Sequence, residues 1–147
     1  MDELQQSMRE CLANTFVMYF KAHSFHWNVE GIHFPTYHEF FGNLYEELYS
    51  AVDPIAEEIR ALGAYAPTGL NDLYASAKIE DSNITGVSVK EMLSSLLADN
   101  NQVLACLNES FKLANDADLQ GLADFIAGRI DVHKKHGWML TSCIKGA

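Results

Sequence analysis

With 147 residues, 48% of them hydrophobic, and a mean hydropathy of −0.07, the chain has the size and composition of one globular domain with a sizeable core. Its formal charge of −10 and isoelectric point near 4.8 argue against wholesale attraction to nucleic acid or anionic membrane, and favour drawing in cations. No apolar run approaches the ~20 residues that span a bilayer.

Met1-Asp2-Glu3-Leu4 is acidic and lacks the basic and apolar regions of a secretory signal. Cys11, Cys106 and Cys143 are odd in number and include no CxxC pair, so they are expected as reduced thiols in a cytoplasmic protein.

Four long helical patterns and one short one account for nearly all of the chain. The first covers residues 3–28, with Leu4, Met8, Cys11, Leu12, Thr15, Tyr19, Ala22 and His26 at steps of three or four. Gly31 interrupts it, and Pro35 suits the first turn of a second helix. That helix has the cleanest stripe, from Phe34 and His38 through Phe41, Leu44, Leu48, Val52, Ile55 and Ile59 to Leu62. Gly63 ends it, and residues 64–69 with Pro67 read as a loop. Pro54 falls inside the second helix, where it removes a hydrogen bond and crowds the carbonyl of Ser50, so a kink is expected there.

A short helix over residues 70–77 and a polar link over residues 80–86 follow. Ser88 with Glu91 three residues on is a capping box opening the third long helix, whose stripe includes Leu93, Leu96, Val103, Leu107 and Phe111. Asn115-Asp116 breaks that pattern and is expected to cap the fourth, which carries Leu119, Leu122, Ile126, Ile130, His133, Gly137 and Leu140. An all-α, up-down four-helix bundle with one long crossover between helices two and three satisfies this order. No hairpin-forming pair of β-type runs competes with it.

The candidate chemistry lies in His26-Trp27-Asn28, His38, Asp53 and Glu57. Two imidazoles and two carboxylates suit a borderline-hard redox metal such as iron. Asp53 and Glu57, four residues apart, share a helix face. His38 lies 15 residues before Asp53 on the same helix, about 22 Å along its axis. An ion holds its ligands at about 2 Å, so no single ion touches both ends. Either these are two unrelated half-sites, or a second copy brings its own helix alongside in the opposite direction.

Residues 21–69 (KAHSFHWNVEGIHFPTYHEFFGNLYEELYSAVDPIAEEIRALGAYAPTG) resemble the signature region of the Dps mini-ferritins. Asp124-Phe125-Ile126-Ala127-Gly128-Arg129 through Trp138-Met139-Leu140 resembles that family's last helix. The resemblance covers most of the chain, and the HWN…H…D…E spacing is specific where HWN alone is not.

It implies one ferritin-like Dps domain over residues 1–147, and a dodecameric shell built from two-fold dimers. In such a shell Fe(II) is oxidised by hydrogen peroxide or dioxygen and stored as ferric mineral. By resemblance, His26 and His38 of one subunit and Asp53 and Glu57 of its mate bind the iron. Trp27 sits beside it as an electron donor or radical trap, unless it is ordinary packing. Asp116, Asp118 and Asp124 would line a cation pore, although helix N-terminal electrostatics favour Asp there anyway.

One departure stands out. The family places a carboxylate four residues after the second histidine, and this chain has Gly42 there. The second iron is therefore expected to bind less tightly, and Gly42→Asp to restore it without disturbing the first. Glu30-Gly31-Ile32-His33 spells the Glu-x-x-His of larger ferritins, but Gly31 makes a poor helix and no second copy exists. His133 and His136 are expected at the surface.

Two other functions compete: a nucleoid protein that coats DNA, and a structural shell with weak iron chemistry. Some family members bind DNA through a lysine-rich tail. Residues 1–7 here contain no Lys or Arg and the carboxyl end offers only Lys145, so DNA binding is expected to be weak or absent.

Overall fold

The computed structural model describes residues 1–81 and 83–147. Five helices follow in order: α1 (Glu3–Asn28), α2 (Phe34–Ala61), α3 (Leu70–Ala75), α4 (Val89–Asp116) and α5 (Gln120–Gly146). No strand occurs among the described residues. The four long helices pack as α1 against α2, α4 against α5 and α1 against α4, with short α3 against α1. This is the expected all-α four-helix bundle, with an extra helix in the crossover.

The stripes read from the sequence become its core. Met8, Met18 and Phe25 of α1, Phe41, Leu48, Ile55 and Ile59 of α2, Leu93, Leu96 and Leu107 of α4, and Ile126 and Leu140 of α5 are fully buried. Burying side chains of this size contributes about 1.5–3 kcal/mol each, before the entropy of ordering the chain is set against it.

Local signals set the helix ends. A capping box opens α1: Asp2 accepts from the Gln5 backbone N–H (2.8 Å), and the Gln5 side chain accepts from the Asp2 backbone N–H (3.0 Å). Ser88 caps α4, its Oγ accepting from the Glu91 N–H at 3.1 Å. Helix α2 closes in a Schellman turn, with Gly63 at φ +90° and Ala64 N–H reaching back to the Ile59 carbonyl.

The end of α4 differs from the sequence expectation. Asn115 and Asp116 do not cap α5 but lie in the last turn of α4. Asp118, at φ 58°, takes the left-handed position that closes a second Schellman turn, with Leu119 N–H bonded to the Ala114 carbonyl. Aspartate tolerates that conformation better than most residues, so no glycine was needed to stop the helix. The N-cap of α5 is Leu119, with no side-chain cap.

Helix α3 ends two residues earlier than expected, at Ala75. The expected polar link includes position 82, which lies outside the described residues. Around it, Asn14 Oδ1 accepts from the backbone N–H groups of Lys78 (2.8 Å) and Ile79 (3.2 Å), tying the crossover to α1. Arg9 does the same further back, donating to the Tyr65 carbonyl (2.7 Å) and pairing with Asp72 (3.1 Å).

Helix α2 runs through Pro54, where the Ser50 carbonyl has no helical N–H to accept. Both His38 and Asp53 therefore belong to one helix.

Candidate metal centre

His26 stands in the last turn of α1 and His38 in the second turn of α2, on either side of the five-residue turn 29–33. The turn folds the helices back so that the two imidazoles stack, with ring centres 3.8 Å apart and planes inclined by 16°. Nδ1 of His26 lies 2.6 Å from the His38 carbonyl oxygen, and Nδ1 of His38 lies 2.6 Å from the His26 carbonyl oxygen.

A carbonyl only accepts, so both Nδ1 atoms carry the proton and donate. The neutral tautomer left on each ring has its lone pair at Nε2. Backbone carbonyls commonly fix metal-ligating histidines in this way. Both rings are partly exposed, so their lone pairs are not sealed in the core.

Gly42 makes this packing possible. A Cβ built on Gly42 would stand 3.1 Å from His26 Nδ1 and 3.2 Å from Cε1, closer than ordinary contact. The His26 ring thus rests against the backbone of α2, over the position where a carboxylate was expected and is missing.

Asp53 and Glu57 project together from the exposed side of α2. A hydrogen bond with Asp53, and then the Asp53 charge, push the Glu57 carboxyl above the usual range. Two carboxylates held this close repel each other, and a cation between them relieves the repulsion. Both lie on the same continuous helix as His38, and the axial rise separates Asp53 from it by about 22 Å and Glu57 by about 28 Å. Among the described residues no three His, Cys, Asp or Glu side chains converge in a metal-binding group. One copy thus presents an imidazole pair and a carboxylate pair, apart from each other.

Trp27 is 55% exposed beside the imidazoles, its ring 4.1 Å from that of His23. His23 stacks flat on Tyr45, with centres 3.7 Å apart and planes 5° from parallel. Partial burial, and then the neighbouring His26, lower the His23 pKa below the ordinary imidazole value. Nothing in the spacing of the sequence singled out this aromatic group. Its members are on two helices: Tyr19 and Tyr45 read as positions on the apolar stripes, and His23 was not singled out.

Asp116, Asp118 and Asp124 are all exposed around the α4–α5 turn. Glu30 and His33 are exposed in the α1–α2 turn, so the Glu-x-x-His spelling does not form a helical ligand pair.

His133 and His136 correct an expectation. His133 is fully buried, its Nδ1 donating to Asn100 Oδ1 at 2.8 Å. His136 is half-buried and meets Glu47 at 2.6 Å, while Arg129 grips the same carboxylate at 2.5 and 3.2 Å. Position 133 continues the apolar stripe of α5, and burial followed that stripe rather than the polarity of the residue. The network joins α2, α4 and α5. Burial would raise the Glu47 pKa, but hydrogen bonds and charge from His136 and Arg129 outweigh it and hold the carboxyl at about 2. Burial, helped by the Arg129 charge, lowers His133 to about 3.

Two grooves lie away from the imidazoles. One, of about 490 Å³, is between α2 and α5 beside Glu47 and His136. The other, of about 360 Å³, is between α1 and α3 and lined by Phe16, Phe20 and Tyr74. No helix among the described residues is long and apolar enough to cross a membrane.

The ferritin-like domain family model matches residues 5–146. The chain is 34% identical over 134 residues to the DNA protection during starvation protein of Brevibacillus brevis, an alignment covering 91% of this chain and 89% of that protein. Among solved structures it is similar to a Dps protein from Bacillus brevis, at 32% identity and a TM-score of 0.89, covering 98% of this chain and 99% of the other. It is also similar to Dps from Staphylococcus aureus, at 28% identity and a TM-score of 0.90, covering 97% and 95%.

Proposed function

Because the chain belongs to the Dps family of ferritin-like proteins, we propose that it is a mini-ferritin that oxidises Fe(II) with hydrogen peroxide, or more slowly dioxygen. The ferric product is held inside a homo-oligomeric shell, a cytoplasmic dodecamer built from two-fold dimers. Iron is the substrate and cargo. The observation that carries this function is the reciprocal clasp of His26 and His38, which holds two imidazoles with Nε2 lone pairs free at a partly open surface.

Two imidazoles alone would bind Fe(II) weakly. The carboxylates that complete the set, Asp53 and Glu57, lie too far along α2 to belong to the same copy's site. A second α2 running antiparallel brings its Asp53 and Glu57 to the first copy's His26 and His38, and the two-fold relation makes two such sites at once. Hard anionic oxygen from one subunit and borderline nitrogen from the other suit iron in both oxidation states. The subunits fix the ligands and leave open positions for the oxidant.

Hydrogen peroxide accepts two electrons and two protons to give two waters. Two Fe(II) supply those electrons without releasing a hydroxyl radical, so oxidation stores iron and removes peroxide together. Gly42 weakens the second iron position, because the acid that would hold it is absent. Exposed Asp116, Asp118 and Asp124 are proposed to line the cation entry where copies meet.

The test is anaerobic loading of Fe(II), then peroxide, on a sample sized by light scattering. Rapid consumption of Fe(II) with ferric iron staying soluble in a particle of about twelve subunits supports this function. Ferric precipitation at the rate seen without protein overturns it.

A further inference from the structure

Cys11 of α1 and Cys106 of α4 face each other inside the bundle, 95 positions apart in the chain with their Sγ atoms 2.6 Å apart. Both thiols are free and both residues are buried. The contact is fixed by the register of two antiparallel helices. One turn before Cys11 and one turn after Cys106, the hydroxyls of Ser7 and Ser110 meet at 2.5 Å, and Ser110 Oγ also lies 3.2 Å from the Cys11 sulfur. Further along the same seam, Lys21 pairs with Asp99 at 2.7 Å and donates to Ser95 at 3.1 Å. Contacts on both sides therefore hold the two sulfurs opposite each other.

A buried cysteine usually behaves as a small apolar side chain. Two observations set this pair apart. A disulfide bond is about 2.05 Å long, so a modest turn of the two side chains brings these sulfurs to bonding distance. The pair also lies next to a surface cleft. Cys106 Sγ is 3.5 Å from the Ser7 carbonyl. Ser7, with Gln6, Glu10 and Glu109, lines a cleft of about 420 Å³ between the start of α1 and the end of α4. Cys106 keeps 4% of its surface exposed, whereas Cys11 keeps none.

We propose that Cys11 and Cys106 are a modification site, where hydrogen peroxide forms an internal disulfide that staples α1 to α4.

Cys106, the more accessible sulfur, loses its proton to water and attacks one oxygen of the peroxide. The O–O bond breaks, the departing hydroxide takes up a proton to become water, and Cys106 is left as a sulfenic acid. The Cys11 sulfur then attacks the Cys106 sulfur. The S–O bond breaks, and the second hydroxide leaves as water with the proton that Cys11 gives up. Two thiols and one peroxide thus yield one disulfide and two waters, each sulfur having given one electron.

The hydrogen bond with Cys11, and then burial, push the Cys106 thiol well above its ordinary range. Thiolate is the reacting form and is scarce here, so the pair ignores brief exposure and responds to peroxide that persists. A link across 95 positions restricts the unfolded chain far more than the folded one, so the oxidised bundle resists unfolding better than the reduced one.

The site uses no iron, and its test is independent of the proposed ferroxidase function. The whole assembled protein is reduced, freed of reductant and exposed to hydrogen peroxide for increasing times with a chelator present. Samples are quenched in acid, then unfolded and alkylated. Two of the three thiols per chain should be lost. Mass spectrometry should find a Cys11–Cys106 linked peptide, and the urea midpoint should rise and return with dithiothreitol. Cys143→Ser should leave the link intact, and Cys106→Ala should abolish it. Three thiols surviving prolonged peroxide overturn the proposal, as does sulfinic acid on Cys106 with no link to Cys11. A link that forms only when the chain is unfolded before peroxide is added overturns it too. These outcomes are read on the parent chain, whatever the folding of Cys106→Ala.

Discussion

His26 and His38 hold each other in place: each ring donates from Nδ1 to the other residue's backbone carbonyl, both at 2.6 Å. The two bonds close a ring across the α1–α2 turn, so neither imidazole can rotate without breaking its own bond to the neighbouring helix. They also set the protonation pattern, with both Nε2 atoms free. Under the proposed function, such an imidazole pair needs only anionic oxygen to hold iron.

The first prediction concerns that oxygen. Asp53→Asn with Glu57→Gln removes two negative charges from an exposed part of α2 that carries no core packing. The fold should survive, and relief of the repulsion between the two acids should leave it no less stable. Fe(II) affinity should fall by at least about 100-fold, since even partners one shell further out are worth about 10–100-fold. Anaerobic titration of the double variant against the parent checks this, and equal affinity would remove Asp53 and Glu57 from the site.

The sequence exposed the parts of this centre unequally. Helices α1 and α2 were legible because their apolar stripes are long and Gly31, Pro35 and Gly63 punctuate them. The separation of His38 from Asp53 followed from helix rise alone. The α4–α5 turn was misread because Asp118 does what glycine usually does, and a residue at positive φ carries no mark in the sequence. His133 was misplaced for a related reason. A buried imidazole needs only two or three partners, and Asn100, which supplies one, lies 33 residues away on another helix. The steric reason for Gly42 was equally hidden, since it depends on a ring from α1.

DNA affinity is predicted to be weak at physiological salt. Binding to a phosphate backbone requires basic groups that displace its counterions. The chain carries 10 Lys and Arg against 20 Asp and Glu, and its more buried cations are already engaged: Lys21 with Asp99, Arg129 with Glu47. A gel shift at sub-micromolar protein, retained at moderate salt with divalent metals excluded, would contradict this. Metal must be excluded because it can bridge two polyanions.

Acid should destabilise the bundle earlier than carboxylate protonation alone would. His133 has its pKa lowered from 6.5 to about 3 by burial, followed by the charges of Arg129 and His136. Between those values the unfolded chain binds a proton that the native one refuses. Stability is therefore full above about pH 6.5 and falls as pH drops towards 3, by about 1.4 kcal/mol per unit while only this group is titrating. Glu47, lowered from 4.5 to about 2, adds a loss of the same sign in the more acid window between those values. The urea midpoint should drop between about pH 7.5 and pH 5 in the parent, and drop less in His133→Gln, whose side chain does not titrate. Parallel pH profiles for the two proteins would show that His133 is charged in the native state.

The last prediction turns on Gly42. One turn past His38 on α2, an Asp here would restore the carboxylate that the family resemblance leads one to expect, and from the sequence it should tighten a second metal without affecting the first. The structure changes the second half of that expectation. The new Cβ would meet His26 Nδ1 at 3.1 Å, the atom that donates to the His38 carbonyl. The ring must give by a few tenths of an ångström, loosening the clasp that orients it. Gly42→Ala applies this crowding without adding a ligand, and is predicted to weaken the tighter site by about 10-fold, as loss of an orienting partner does. Gly42→Asp should show the same weakening at the first position together with a gain at the second. Both variants should form α2 readily, since glycine is the poorer helix former by about 0.5–1 kcal/mol relative to alanine. Anaerobic calorimetry with Zn(II) reads both affinities without turnover. A Gly42→Ala protein with parental affinity would mean that the His26 ring shifts freely, and a Gly42→Asp protein with no second-site gain would mean that His38 does not mark a second metal position.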